Sequence, residues 1–164
     1  MPTWIFFLCQ ISVIAYALVG GVFLAFSDFI MRSLTNTAAP GGIEAMQVIN
    51  REVFKFVFMA SFLGMAVLSF GLALYAYLYL EGSAGLYIIF ASAVYLVGVF
   101  GVTVAFNVPL NNLLDGMDVH SADTREFWTR RYVPNWTFWN SIRTAASVIA
   151  AGTLLLAITS MPTM

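Results

Sequence analysis

Residues 86–106 read Leu86-Tyr-Ile-Ile-Phe-Ala-Ser-Ala-Val-Tyr-Leu-Val-Gly-Val-Phe-Gly-Val-Thr-Val-Ala-Phe106, an apolar run with no charge in it. Roughly 20 such residues cross the hydrocarbon core of a bilayer as a helix. Three more blocks of this kind are present, at about 4–26, 54–79 and 137–158. Backbone amides in lipid find no water, so a spanning segment must bond internally, as a helix or within a closed barrel. The blocks are continuous rather than alternating, which excludes the barrel. The expected fold is therefore an all-α membrane protein, an up-down-up-down bundle of four transmembrane helices, with short loop helices at one end. One domain over residues 1–164 is expected.

Composition agrees. Of 164 residues, 61% are hydrophobic and 9% charged, against about 25% charged in a soluble domain. The mean hydropathy is +0.89, so the expected surroundings are a lipid bilayer. A net charge of −1 leaves no basic surface of the kind nucleic acid demands. One cysteine, Cys9, and one histidine, His120, give no cluster for zinc, haem or iron–sulfur ligation. No metal or cofactor is expected. The first block lacks a basic n-region and a cleavage site, and reads as a retained helix rather than a signal peptide.

The connections are unequal. Blocks two and three are joined by a tight Glu81-Gly82-Ser83 turn, whereas 27–53 and 107–135 are long. All seven Lys and Arg residues (Arg32, Arg51, Lys55, Arg125, Arg130, Arg131 and Arg143) lie in those long connections or in the adjoining turns. The positive-inside rule places this loop-rich end in the cytoplasm and both termini outside, in a bacterial inner (plasma) membrane. Within the long connections, Met46, Ile49, Val53 and Phe56 keep helical spacing after the Pro40-Gly41-Gly42 breaker. Ser121 to Trp128 reads as a short surface helix that Pro134 ends.

Polar residues near a membrane core are costly and mark function more often than chance. Asn107 and Asn111 lie four apart where the third block ends, and share a face if the helix continues past Pro109. Trp136, Asn140 and Arg143 lie at i, i+4 and i+7, on one face of the fourth helix. Gln47, Asn50, Arg51 and Glu52 lead into the second. In an up-down bundle these groups meet at one end, together with Asp28, Trp128 and Tyr132. A pocket there has aromatic walls, amide donors and one guanidinium. It suits a small apolar aromatic or quinone-like molecule carrying a carbonyl or phenolate. Structural readings stand beside this one. The aromatics also suit an interfacial belt, and the Asn residues suit caps or interhelical bonds. Arg143 equally suits a pair with Asp28, Glu44 or Glu52. Gln10 and Tyr16 suit interhelical hydrogen bonds, Gly20-Gly21 suits close helix packing, and His120 suits a solvated loop.

At these residues the chain resembles the anthrone oxygenase family. The matching stretches are Gly21-Val-Phe-Leu-Ala-Phe-Ser-Asp-Phe-Ile-Met31, Met46-Gln-Val-Ile-Asn-Arg51, Asn107-Val-Pro-Leu-Asn111 and Trp136-Thr-Phe-Trp-Asn140-Ser-Ile-Arg143. Arg32 stands where many members have proline, and Lys55-Phe56 where asparagine-proline is usual. The resemblance implies a four-helix membrane protein that oxidises an anthrone with dioxygen, without metal or flavin. It implies that Arg143, Asn140, Asn111 and Asn107 hold an enolate oxygen. Trp136 and Trp128 then stack on the rings, Tyr132, Asn50 and Gln47 add binding contacts, and Asp28 or Glu52 acts as base. The alternative is a non-catalytic subunit or a lipid- or quinone-binding module, as a homo-oligomer or in a larger membrane complex.

Overall fold

A computed structural model describes residues 2–38, 40–55 and 57–161, and no strand occurs among them. The long elements are α1 (Thr3–Asn36), α2 (Gly41–Glu52), α3 (Val57–Tyr79), α4 (Gly82–Asp115) and α5 (Ala122–Thr159). All but α2 are long and apolar enough to cross a bilayer. Their outer faces carry exposed Ile14, Leu18, Val67, Phe70, Leu86 and Val148, which only lipid can cover at no cost. The chain is an integral membrane protein.

Neighbouring helices run antiparallel, consistent with an up-down-up-down course. Trp4 meets Tyr75 and Phe23 meets Phe58 between α1 and α3, with ring centroids 4.8 and 5.9 Å apart. Between α4 and α5, Phe106 stacks on Trp139 at 3.6 Å, while Gly98 faces Ala146. Lipid tails are as apolar as leucine, so helices associate by close contact and polar bonds rather than by hydrophobicity. Small residues supply the contact. A Cβ at Gly20 of α1 would fall 2.7 Å from Ser147 Cβ, and one at Gly98 of α4 would fall 2.6 Å from Ala146 Cβ. The α5 backbone is thus gripped on two sides, and buried Ala150, Ala151 and Ala157 extend the contact.

The predicted interhelical bond of Tyr16 is present. Its hydroxyl lies 2.6 Å from Ser69 Oγ, its ring stacks on Tyr95 at 4.4 Å, and Tyr95 Oη donates to the Phe62 carbonyl. Gln10 is exposed and joins no such bond. His120 is exposed, as expected of a loop histidine.

The polar end departs most from expectation. The connections at 27–53 and 107–135 are mostly helix: α1 runs on to Asn36, α4 runs on to Asp115, and α5 starts at Ala122. Pro109 marks no break and Pro134 ends no helix. Interior proline removes a backbone donor and crowds the preceding turn. Here each proline follows a π-helical segment, Thr103–Asn107 before Pro109 and Trp128–Tyr132 before Pro134. The wider π turn lets the chain pass the ring, and Asn135 Nδ2 donates to the Arg131 carbonyl at 2.7 Å. A third π segment, Phe26–Ile30, widens α1 at the same end. The predicted helix after Pro40-Gly41-Gly42 is α2, with Met46 buried and Ile49 half-buried; Phe56 lies outside the described residues. The turn between α3 and α4 is tighter than expected, because Gly82, at φ +82°, already begins α4.

Candidate functional site

Arg143 is the one buried basic residue among those described, 6% exposed. Its helical face places it beside Asn140 and Trp136, which are 0% and 5% exposed, as the i, i+4, i+7 spacing predicts. The anticipated carboxylate partner is not there: no Asp or Glu among the described residues pairs with it. Its Nη2 donates to Asn140 Oδ1 at 2.6 Å and its Nη1 to Thr103 Oγ1 at 3.2 Å. The guanidinium carbon stands 4.1 Å from the Phe23 ring centroid and 5.4 Å from that of Trp136. Its Nε is buried without a partner among the described residues.

Magnitudes show what this arrangement lacks. An arginine at mid-helix in a membrane costs about 3 kcal/mol on insertion scales. A cation over an aromatic face returns about 0.5–2 kcal/mol. Two neutral hydrogen bonds and two ring faces leave the positive charge uncompensated, so an anion in the adjoining space would relieve it.

Asn140 is spent on holding Arg143. Its Nδ2 donates to the Phe23 carbonyl and to Ser27 Oγ, both at 2.6 Å, which ties α5 to α1 where the π segment begins. A side chain inserted into a helical ladder is one of the identifiable causes of such a distortion. Asn107 Nδ2 donates to the Trp136 carbonyl at 3.2 Å, while its Oδ1 is buried and unpartnered. Asn111 Oδ1 accepts from Tyr132 Oη at 2.9 Å and from Trp136 Nε1 at 2.8 Å. That fixes the amide with its nitrogen directed away from both rings. Asn50 Nδ2 donates to Tyr132 Oη at 3.3 Å.

Arg143, Trp136, Asn111, Asn50, Thr103 and Phe23 line a cavity of about 90 Å³, whereas Asn107, Asn140 and Tyr132 are not on its wall. Phe26, Met46, Ile49, Phe58 and Phe62 make the rest largely apolar. An apolar cavity of about 150 Å³ holds benzene, so a ring of that size or larger enters only if wall residues such as half-buried Phe58 and Met59 swing aside.

Other expected site residues stand apart from this wall. Gln47 Nε2 donates to the Leu114 and Met117 carbonyls at 2.8 and 3.0 Å, clasping the end of α4. Trp128 is buried at the outer end of a stack, 5.2 Å from Tyr132, which lies 6.4 Å from Trp136. Asp28 is exposed in its π segment, and Glu52 is engaged by Lys55. Arg51 pairs with Asp115 at 3.5 Å. Sequence reasoning missed Thr103, Ser27 and Phe23. Thr103, a hydroxyl near the polar end of an apolar block, was the readable signal; the other two were not distinguishable from their neighbours. Among the described residues no three His, Cys, Asp or Glu side chains gather as metal ligands.

A family model described as anthrone oxygenase matches residues 51–153, more than half of the chain. That span includes Asn107, Asn111, Trp136, Asn140 and Arg143. No curated protein and no solved structure matches the chain.

Proposed function

As the chain belongs to the anthrone oxygenase family, we propose that it oxidises an anthrone- or quinol-like aromatic with dioxygen, binding the substrate as its anion beside Arg143. The observation that carries this reading is the buried guanidinium on the wall of an apolar cavity, with no carboxylate among the described residues to balance its charge. A cation fixed before the reaction stabilises charge developing on an oxygen without reorganising, which is worth most where water is excluded.

The substrate supplies its own reducing power. Loss of a proton from the activated carbon gives an enolate whose oxygen sits on Arg143, with the Asn111 amide nitrogen as second donor. The enolate passes one electron to dioxygen, and the radical pair combines into a carbon hydroperoxide. Loss of the second C–H proton, with cleavage of O–O, leaves a new carbonyl and one water. Both oxygen atoms and all four electrons are thereby accounted for, with no cofactor in the balance. Asn140 and Thr103 hold the guanidinium in place, Asn107 steadies the Trp136 turn, and Trp136 offers a ring face. Asp28 and Glu52 stand outside the wall, so the proton leaves in this reading through water beside Asn50 and Asn111. The basic residues of the polar end face the cytoplasm of a bacterial inner membrane, and both termini lie outside.

Oxygen uptake by the purified protein with an anthrone is the test. Wild-type uptake well above that of empty detergent, lost in Arg143→Ala, supports the reading. Equal rates in all three samples sink it. Saturable anthrone binding without uptake favours a binding module instead.

A further inference from the structure

We infer that the cavity beside Arg143 is filled sideways from the bilayer, between α1 and α3, by a neutral lipid-dissolved molecule whose apolar body carries one oxygen that becomes anionic in the site, while only water and protons use the polar side. This rests on the proposed reading of the site and adds the route and the physical class of what takes it.

The cavity has two rims of opposite character. Val22 of α1 lines it and is also 40% exposed. A side chain that is both wall and surface stands at a mouth. Across the gap, Phe58 and Met59 of α3 are wall residues and half-exposed. Leu18 and Phe29 of α1 and Val57 of α3 are 68%, 56% and 79% exposed. That is a hydrocarbon-facing surface. α1 and α3 also pack less closely on each other than the other neighbouring spans do, so this seam is the easiest to part. Across it Phe58 meets Phe23 edge to face at 5.9 Å, and no hydrogen bond among the described residues bridges it at this level.

On the opposite rim the cavity adjoins a cleft across a shared wall of Asn50, Phe54, Val108 and Asn111. The cleft contains Arg51 and Asp115, paired at 3.5 Å. An apolar ring coming this way must first leave the lipid for water, then strip water from two amides and an ion pair. Coming through the α1–α3 seam it stays in apolar surroundings until its oxygen reaches Arg143. Polarity thus separates the routes: rings from lipid, protons and water by the cleft.

The test needs no turnover. In lipid nanodiscs, Trp136 is followed by fluorescence in the variant W4F/W128F/W139F, with a bromonaphthol dissolved in the bilayer as one quencher and iodide in the water as the other. Bromonaphthol should quench Trp136 several-fold more effectively than iodide. Val22→Phe, which adds bulk at the seam, should cut bromonaphthol quenching several-fold. Ile14→Phe, on the lipid face of α1 (62% exposed), should leave it unchanged. If the triple variant does not fold, fluorotryptophan in the wild-type chain reports the same contact by NMR line broadening, with nitroxides in lipid and in water as probes. Stronger quenching by iodide, or no effect of Val22→Phe, overturns the lateral route even if anthrone oxidation is observed. Lateral quenching in a protein that takes up no oxygen overturns the reaction and leaves the route standing.

Discussion

Tyr16 and Tyr95 stack 4.4 Å apart in the membrane half of the bundle, while Trp128, Tyr132 and Trp136 stack at 5.2 and 6.4 Å at the polar end. All five rings are buried. In the first stack the hydroxyls are used up: Tyr16 on Ser69, Tyr95 on the Phe62 carbonyl, Ser69 on the Met65 carbonyl. Among the described residues, Ser92 Oγ is the buried side-chain atom of that region without a partner. At the other end, Asn107 Oδ1, Thr137 Oγ1 and Arg143 Nε all lack partners among the described residues. The contrast separates two uses of polarity in lipid. A few satisfied hydroxyls fix helices to one another, whereas a buried cation with spare donors beside a cavity is more than fixing requires.

The contrast can be broken most sharply at Arg143. Arg143→Ala should lower the rate of anthrone oxidation about 100- to 1,000-fold, as loss of an oxyanion donor does elsewhere. Its melting temperature should hold or rise, because an uncompensated buried charge is removed. A large fall in melting temperature would instead assign Arg143 to the scaffold. Asn140→Ala comes next. It frees Arg143 and cuts the tie to Phe23 and Ser27, so oxidation should fall along with a stability loss of about 1–3 kcal/mol, measured by unfolding in detergent. In the membrane half, Gly98→Leu should cost about 1–3 kcal/mol by overpacking against Ala146. Tyr16→Phe should cost about 0.6 kcal/mol, the average for such bonds in membranes, and leave oxidation untouched. The smallest effect is expected from Arg51→Ala, within about 1 kcal/mol, since its pair with Asp115 is exposed.

Much of this was legible in the residues themselves. The i, i+4, i+7 spacing of Trp136, Asn140 and Arg143 predicted one buried face, and the structure has it. The four-residue step from Asn107 to Asn111 predicted a shared face only if the helix continued, and both do meet Trp136. Continuation itself was not legible. Pro109 and Pro134 are breakers by local rule, and only the neighbouring turns, held by contacts across the bundle, let the helices widen and pass them. Gln47 looked like a ligand contact because it is polar in apolar company, but its partners are carbonyls of residues far along the chain.

Four continuous apolar runs suffice to carry this chain across a bilayer as four helices. A run of about 20 apolar residues in lipid has one way to satisfy its backbone when it does not alternate. The order of the runs also gathers the polar residues at one end. Packing between the helices is what sets Asn140 and Thr103 on Arg143, leaves it without a carboxylate among the described residues, and opens a cavity beside it. The reason is physical. The spanning helices are apolar all round, so periodicity does not mark their inner faces. Which faces meet is settled by small residues such as Gly20 and Gly98 seating α5, and by hydrogen bonds between residues more than a hundred positions apart.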